Sequence, residues 1–245
     1  MAPTLAGRVA LVTGAGRGIG RAVALAYAQA GAAVACVARS GGEVAAVAQA
    51  ITAAGGRAIA LAGDATDAAL MAAHVRATEA EFGGLDIVFG AAGASLENKP
   101  VAESDPTLWR RTVEVNLFGT FVTAHAALPA LRRRGGGKLI FVGSGMGHRG
   151  AATRSAYASS KAGLNMLVRV LAQELAGEDI TVNELVPGPV LTAFISGRVD
   201  ALRGAVGGQE WFKEPEDVVP LALFMATQPP RGPTGQTFSL ARRDL

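Results

Sequence analysis

The stretch "VALVTGAGRGIGRAVA", residues 9–24, sets a short apolar run, a glycine-rich turn and an apolar segment of helical spacing in direct succession. Gly14, Gly18 and Gly20 fall just after the run and at the mouth of the helix. Glycines suit that place because the chain must turn tightly and let a pyrophosphate approach the backbone, while the helix N-terminus offers free N–H groups and a favourable dipole. A plain strand-to-helix turn would also use glycine. The position between first strand and first helix, near the N-terminus, selects a dinucleotide site.

The same alternation continues outward along the chain. Apolar runs at 8–14, 32–39, 57–64, 85–93, 138–144, 180–188 and 237–241 read as seven strands. Between them lie amphipathic stretches such as "RAVALAYAQAG" (21–31) and "DAALMAAHVRATEAEFG" (67–83), with Gly31 and Gly83 as helix terminators. Strands apolar on both faces belong in a parallel sheet covered by helices. The expected architecture is therefore α/β: a single-domain doubly wound Rossmann fold over residues 1–245, with a seven-stranded, mostly parallel sheet flanked by helices. Ligands of such folds sit at the carboxyl ends of the strands. The segment 192–214 breaks the rhythm with four glycines and a late Trp211–Phe212 pair; it is expected as a substrate lid, with a surface connection as the alternative.

Composition excludes several classes of function. A net charge of +3, with no basic stripe interleaved by aromatics, argues against nucleic-acid binding. The lone Cys36 rules out an internal disulfide, and its apolar run "AVACVA" makes it a small buried hydrophobe rather than a nucleophile. No apolar run reaches membrane-span length and no signal-peptide layout opens the chain, so a cytoplasmic protein with no membrane partner is expected. His74, His125 and His148 are isolated, which leaves no metal-ligand motif.

The end of the second strand bears on which dinucleotide binds. A carboxylate there would take the adenosine ribose hydroxyls and favour NAD. The chain instead reads "CVARS", with Arg39 and Ser40 and no acid until Glu43, and Arg17 in the glycine turn adds a second guanidinium. A pair of arginines suits a 2′-phosphate, so NADP(H) is expected, with NAD(H) as the alternative.

Tyr157 and Lys161 in "SAYASSKAG" share a helix face one turn apart, and Ser144 stands at the carboxyl end of the fifth strand. A phenol has a pKa of about 10, too high for a base at neutral pH, and a nearby ammonium is the simplest way to favour its phenolate.

With these residues in place the chain resembles the short-chain dehydrogenase/reductase family, and within it the ketoreductases of the 3-oxoacyl-ACP reductase type. The resemblance covers nearly the whole length and rests on "TGAGRGIG" (13–20), Asp64, Asn116 in "EVNLFG", Ser144, "YASSK" (157–161) and "PGPVLT" (187–192). It implies that Tyr157 is the general acid in carbonyl reduction and the base in alcohol oxidation, and that Ser144 hydrogen-bonds the substrate oxygen. Lys161 would lower the tyrosine pKa and hold the nicotinamide ribose, while Asn116 would position a water in the proton relay. It further implies that Asp64 and the backbone of Ala65 meet the adenine and that Val190 and Thr192 meet the carboxamide. Ile19, Ala92, Gly93 and Pro187 complete the cofactor-binding set. A small-molecule carbonyl or alcohol substrate and a homotetramer are further implications.

Two departures from the family pattern stand out. Gly90 and Ala91 occupy the places where the family carries two asparagines, which puts bracing near the adenosine ribose in question, and "TGQTFSLARRDL" lacks the usual acidic-glycine ending. A serine hydrolase fails on spacing, because Val142 and Met146 stand where the glycines flanking a nucleophilic serine belong. The alternative reading is a catalytically silent NADP(H)-binding sensor or scaffold with the same fold.

Overall fold

The computed structural model describes residues 4–195 and 210–242. The centre of the expected lid, 196–209, lies outside the described residues.

Seven strands, β1 (Val9–Thr13), β2 (Ala33–Ala38), β3 (Arg57–Ala62), β4 (Ile87–Gly90), β5 (Gly137–Val142), β6 (Ile180–Val186) and β7 (Thr237–Ser239), fall within two residues of the starts read from sequence. They form one sheet in the order β3-β2-β1-β4-β5-β6-β7. Every pairing is parallel, where the sequence promised only a mostly parallel sheet. The order reverses between β1 and β4, which opens the crevice where doubly wound folds hold ligands.

Strand alternation builds two cores. Ala10 and Val12 of β1, Ile87 and Phe89 of β4 and Ile140 of β5 face one side, where they meet α1 (Gly18–Gln29), α2 (Gly41–Ala53) and α7 (Val219–Ala226). Leu11, Val88, Leu139 and Phe141 face the other, against α3 (Ala68–Phe82), α5 (Gly119–Arg134) and α6 (Ser155–Glu174). A side-chain period of two forces that division, and both faces being apolar is why the runs look continuous in sequence. Tyr27 of α1 crosses the first core to donate to the carbonyl of Ala222. Burial pushes the Cys36 thiol up to about 12, in keeping with an inert core position.

Helix starts follow local chemistry. Ser40, Asp67 and Asp105 cap α2, α3 and α4 (Pro106–Val113) by accepting from backbone N–H groups of the first turn. Gly83 ends α3 in the left-handed conformation, as its place in the sequence predicts. Between α4 and α5 the chain widens into a single π turn, Glu114–Phe118, which carries Asn116. The two flanks of the 192–214 excursion are tied together where Val190 pairs with Lys213. Among the described residues no helix is long and apolar enough to cross a membrane.

Candidate functional site

A cavity of about 590 Å³ opens at the carboxyl ends of the strands. Its first wall is the glycine turn. Gly14 takes φ 67°, and a Cβ there would stand 2.8 Å from the backbone of Ala91, so only glycine lets this turn lie against the end of β4. The N-cap of α1, Arg17, makes no side-chain capping bond, in contrast to Ser40, Asp67 and Asp105. Gly18, Ile19 and Gly20 therefore bring uncapped N–H groups to a helix start that lines the cavity. That cradle fits a pyrophosphate.

The cavity is also lined by Arg17, Arg39, Ser40, Asp64, Ala65 and Ala92 towards one end, and by Gly93, Ser144, Tyr157, Lys161, Pro187, Val190 and Thr192 towards the other. Together with the glycine turn, this gathers every site residue read from the sequence except Asn116. Asn116 is fully buried and its amide is committed: Oδ1 accepts from Ala94 N at 2.8 Å, while Nδ2 donates to Ala94 O at 2.8 Å and Ser160 Oγ at 3.0 Å. In this arrangement it fastens the segment after β4 to α6.

Asp64 combines several contacts. Its carboxylate accepts from Thr66 N and from Arg111 Nη2, and these partners outweigh burial to hold its pKa below the usual range. Arg111, on α4, was not singled out from the sequence. Glu43 is a second addition: it lines the cavity beside Arg17 and Arg39, and its carboxylate stands against Gly16. Reading the strand end alone set this acid aside, but the first turn of α2 carries it back to the glycine turn.

The departure at Gly90 has a structural answer. A Cβ at Gly90 would overlap the ring of Phe141 on the neighbouring strand, so the volume that an asparagine would need is filled by an aromatic. Thr13 Oγ1 accepts from Ala92 N at 3.4 Å and helps hold the backbone at the cavity.

At the far end Lys161 is 4% exposed and donates to Val142 O at 2.7 Å. Its Nζ stands 5.9 Å from the centre of the Tyr157 ring. Burial brings its pKa down to about 8, against a smaller upward pull from the carboxylate of Glu184. Ser144 starts a short turn and accepts from Met146 N at 3.2 Å, which fixes its hydroxyl at the end of β5. Phe194 packs on Tyr157 with ring centres 5.7 Å apart, and Met146, Arg149 and Arg154 complete this end. Among the described residues no group of three or more His, Cys, Asp or Glu could hold a metal.

This arrangement has counterparts among known proteins. Residues 8–202 match the family model described as short chain dehydrogenase. A cis-4-hydroxycyclohexanecarboxylate dehydrogenase of Sinomonas cyclohexanicum is 35% identical over 234 residues, covering 93% of this chain and 92% of the relative. A D-threitol dehydrogenase of Mycolicibacterium smegmatis is 35% identical over 228 residues, covering 91% and 87%. A structure from Beutenbergia cavernae, provisionally described as an NAD(P)-dependent gluconate 5-dehydrogenase with NADP bound at low occupancy, superposes with a TM-score of 0.89 at 34% identity, covering 98% of each chain. The family match runs through the glycine turn, Ser144, Tyr157 and Lys161 alike, so the residues that line the cavity and the sheet that positions them have one explanation: the chain belongs to the short-chain dehydrogenase family.

Proposed function

We propose that the protein is an NADP(H)-dependent oxidoreductase that interconverts a ketone and a secondary alcohol, with Tyr157 as the general acid and base. The observation that carries this reading is the convergence of Ser144, Tyr157 and Lys161 on one end of a cavity whose other end is an uncapped helix start. NADP(H), held by the glycine turn, Arg17 and Arg39 at its phosphates and by Lys161 and Thr192 at the nicotinamide end, would supply or accept the hydride.

The chain's own residues account for the rest. When a carbonyl is reduced, negative charge builds on its oxygen, and the hydroxyls of Ser144 and Tyr157 stabilise that charge by donating to it. Tyr157 then gives up its proton, and the Lys161 ammonium stabilises the phenolate left behind. In the oxidative direction the phenolate takes the alcohol proton. Asn116 supports the site by pinning the segment after β4 to α6. The 192–214 segment, anchored at Val190 and Lys213, is read as the substrate lid.

Glu43 is the specific observation favouring NAD(H) instead, since a carboxylate at that end of the cavity suits ribose hydroxyls and repels a 2′-phosphate. Exposed Phe121, Met166 and Val170 on α5 and α6 support a homo-oligomer, which light scattering checks. A silent sensor would have no use for a proton donor facing the cavity.

The test is fluorescence titration with NADPH and NADH, followed by turnover on a panel of ketones and acyl thioesters, with hydroxycyclohexanecarboxylate and threitol for the reverse direction. Tight NADPH binding with turnover of a panel member is the expected outcome. Binding of neither dinucleotide would overturn the reading.

A further inference from the structure

Glu184 lies in the middle of β6, within the apolar run "ITVNELV", and is fully buried. Its Oε2 accepts from Asn165 Nδ2 of α6 at 2.7 Å and from Thr237 Oγ1 of β7 at 2.8 Å, and it shares a third hydrogen bond with His148 Nε2, in the loop after Ser144, at 2.9 Å. Its Oε1 has no hydrogen-bond partner among the described residues. That second oxygen lies over Gly143, where any Cβ would overlap it, and the three atoms nearest to such a Cβ all belong to Glu184. Gly143 stands between Val142, whose carbonyl accepts from Lys161, and Ser144. A buried, half-satisfied carboxylate is thus set directly behind the strand end that holds the lysine and the serine.

Such a group is costly unless it meets a cation. Among the described residues, the titratable or charged groups that face Lys161 from the elements around it are few. Glu184 comes from β6, His148 reaches it through Glu184, and Tyr157 is one turn earlier on α6. β5 offers the carbonyl of Val142, and the segment after β4 offers Gly93 with the neutral Asn116 amide beside it.

We infer that Glu184 is a positioning residue for this site: its buried carboxylate, clamped by Asn165, Thr237 and His148, holds Lys161 in the ammonium form on which Tyr157 depends. The role rests on the oxidoreductase reading for its purpose, but the through-space pull of Glu184 on the lysine is independent of cofactor and substrate. Burial alone drives the lysine towards the neutral amine, and the glutamate is the group that opposes it. His148 contributes by fixing the carboxylate and tying the Ser144 loop to β6.

The chain has four lysines, Lys99, Lys138, Lys161 and Lys213, so each amine can be followed separately by NMR after reductive methylation with carbon-13 formaldehyde, with Lys161→Met identifying its signal. In Glu184→Gln the titration midpoint of Lys161 is expected to fall by about one pH unit, a tenfold loss of proton affinity, while Lys138 stays in place. Thr237→Val removes one clamp without removing the charge and is expected to leave the Lys161 midpoint unmoved. Glu184→Ala combined with Gly143→Ala refills part of the vacated space, removes the charge, and is expected to reproduce the fall.

An unchanged Lys161 midpoint in either folded variant lacking the carboxylate overturns the inference. So does failure of both to fold, which would assign Glu184 to the framework instead. Absence of NADPH binding with a displaced Lys161 midpoint would sink the oxidoreductase reading alone. In turnover, Glu184→Gln is expected to move the alkaline fall of kcat to lower pH with KM little changed; a uniform loss at all pH values would contradict the role.

Discussion

Two lysines are buried at opposite edges of β5. Lys138, near its start, is 7% exposed and donates to Pro229 O at 2.7 Å; Lys161, on α6 above its end, is 4% exposed and donates to Val142 O at 2.7 Å. Burial brings both down to about 8. Their second influences differ in sign: the Arg8 guanidinium lowers Lys138 further, whereas the Glu184 carboxylate raises Lys161. Lys138 adjoins a smaller cavity of about 340 Å³ lined by Arg8, Asp86 and Arg134, where Asp86 holds both arginines in ion pairs. Lys161 faces the large cavity beside a phenol and a serine hydroxyl. A depressed lysine is therefore no mark of chemistry by itself, because structural ion networks produce it equally well. What separates the two is the company each keeps.

The comparison breaks most visibly at Tyr157. Tyr157→Phe is expected to lower turnover by about 10³–10⁴-fold with NADPH affinity nearly unchanged, as steady-state kinetics and fluorescence titration would show. Near-normal turnover would remove the distinction between the two edges. Lys161→Met should cost about 10²–10³-fold in kcat, whereas Lys138→Met should keep kcat within about twofold; equal losses would mean that burial alone is what matters.

At the other end of the cavity, Arg39→Asp is expected to weaken NADPH by tenfold or more, roughly the worth of a charge-assisted contact, and to spare NADH. Glu43→Gln is expected to tighten NADPH slightly. Equal changes for both dinucleotides in either variant would count against the 2′-phosphate assignment.

In stability the two lysines should behave alike, and the effect is the smallest. Each has a folded pKa of about 8 against an ordinary 10.5, so the unfolded chain binds more protons between those values. The destabilising burial of the charge is complete below pH 8 and is relieved as the pH rises to 10.5. Denaturant unfolding of the wild type should thus gain stability over that window, and Lys138→Met should remove about 1–2 kcal/mol of the gain. A slope unchanged in Lys138→Met would show that its amine is hydrated through the smaller cavity.

The fold was legible because its determinants are local. The apolar runs of β1, β4 and β5, the glycine turn and the helix terminators Gly31 and Gly83 are each written within a few residues. Most of the candidate site was legible for a related reason: in a doubly wound sheet the strand ends that carry Gly14, Ser144 and Pro187 converge automatically. The contacts of the Asn116 side chain with Ala94 and Ser160 could not be read from the sequence. Arg111 was missed because nothing in the surrounding sequence distinguishes it from a solvated helix residue, and Glu43 was set aside because it lies beyond the end of the second strand. Glu184 left a signal, a lone acid in an apolar strand, that gains meaning only from the residues packed around it.

The sequence by itself determined the parallel α/β fold, the dinucleotide-type turn and the pairing of Tyr157 with Lys161, since each depends on short spacings and backbone conformation. Only the tertiary structure decided that Phe141 fills the space at Gly90, that Glu43 returns to the glycine turn, and that Glu184 stands behind Lys161. Those relations join residues on different strands and helices, and the free energy of a buried charge is set by what surrounds it in space rather than by its neighbours along the chain.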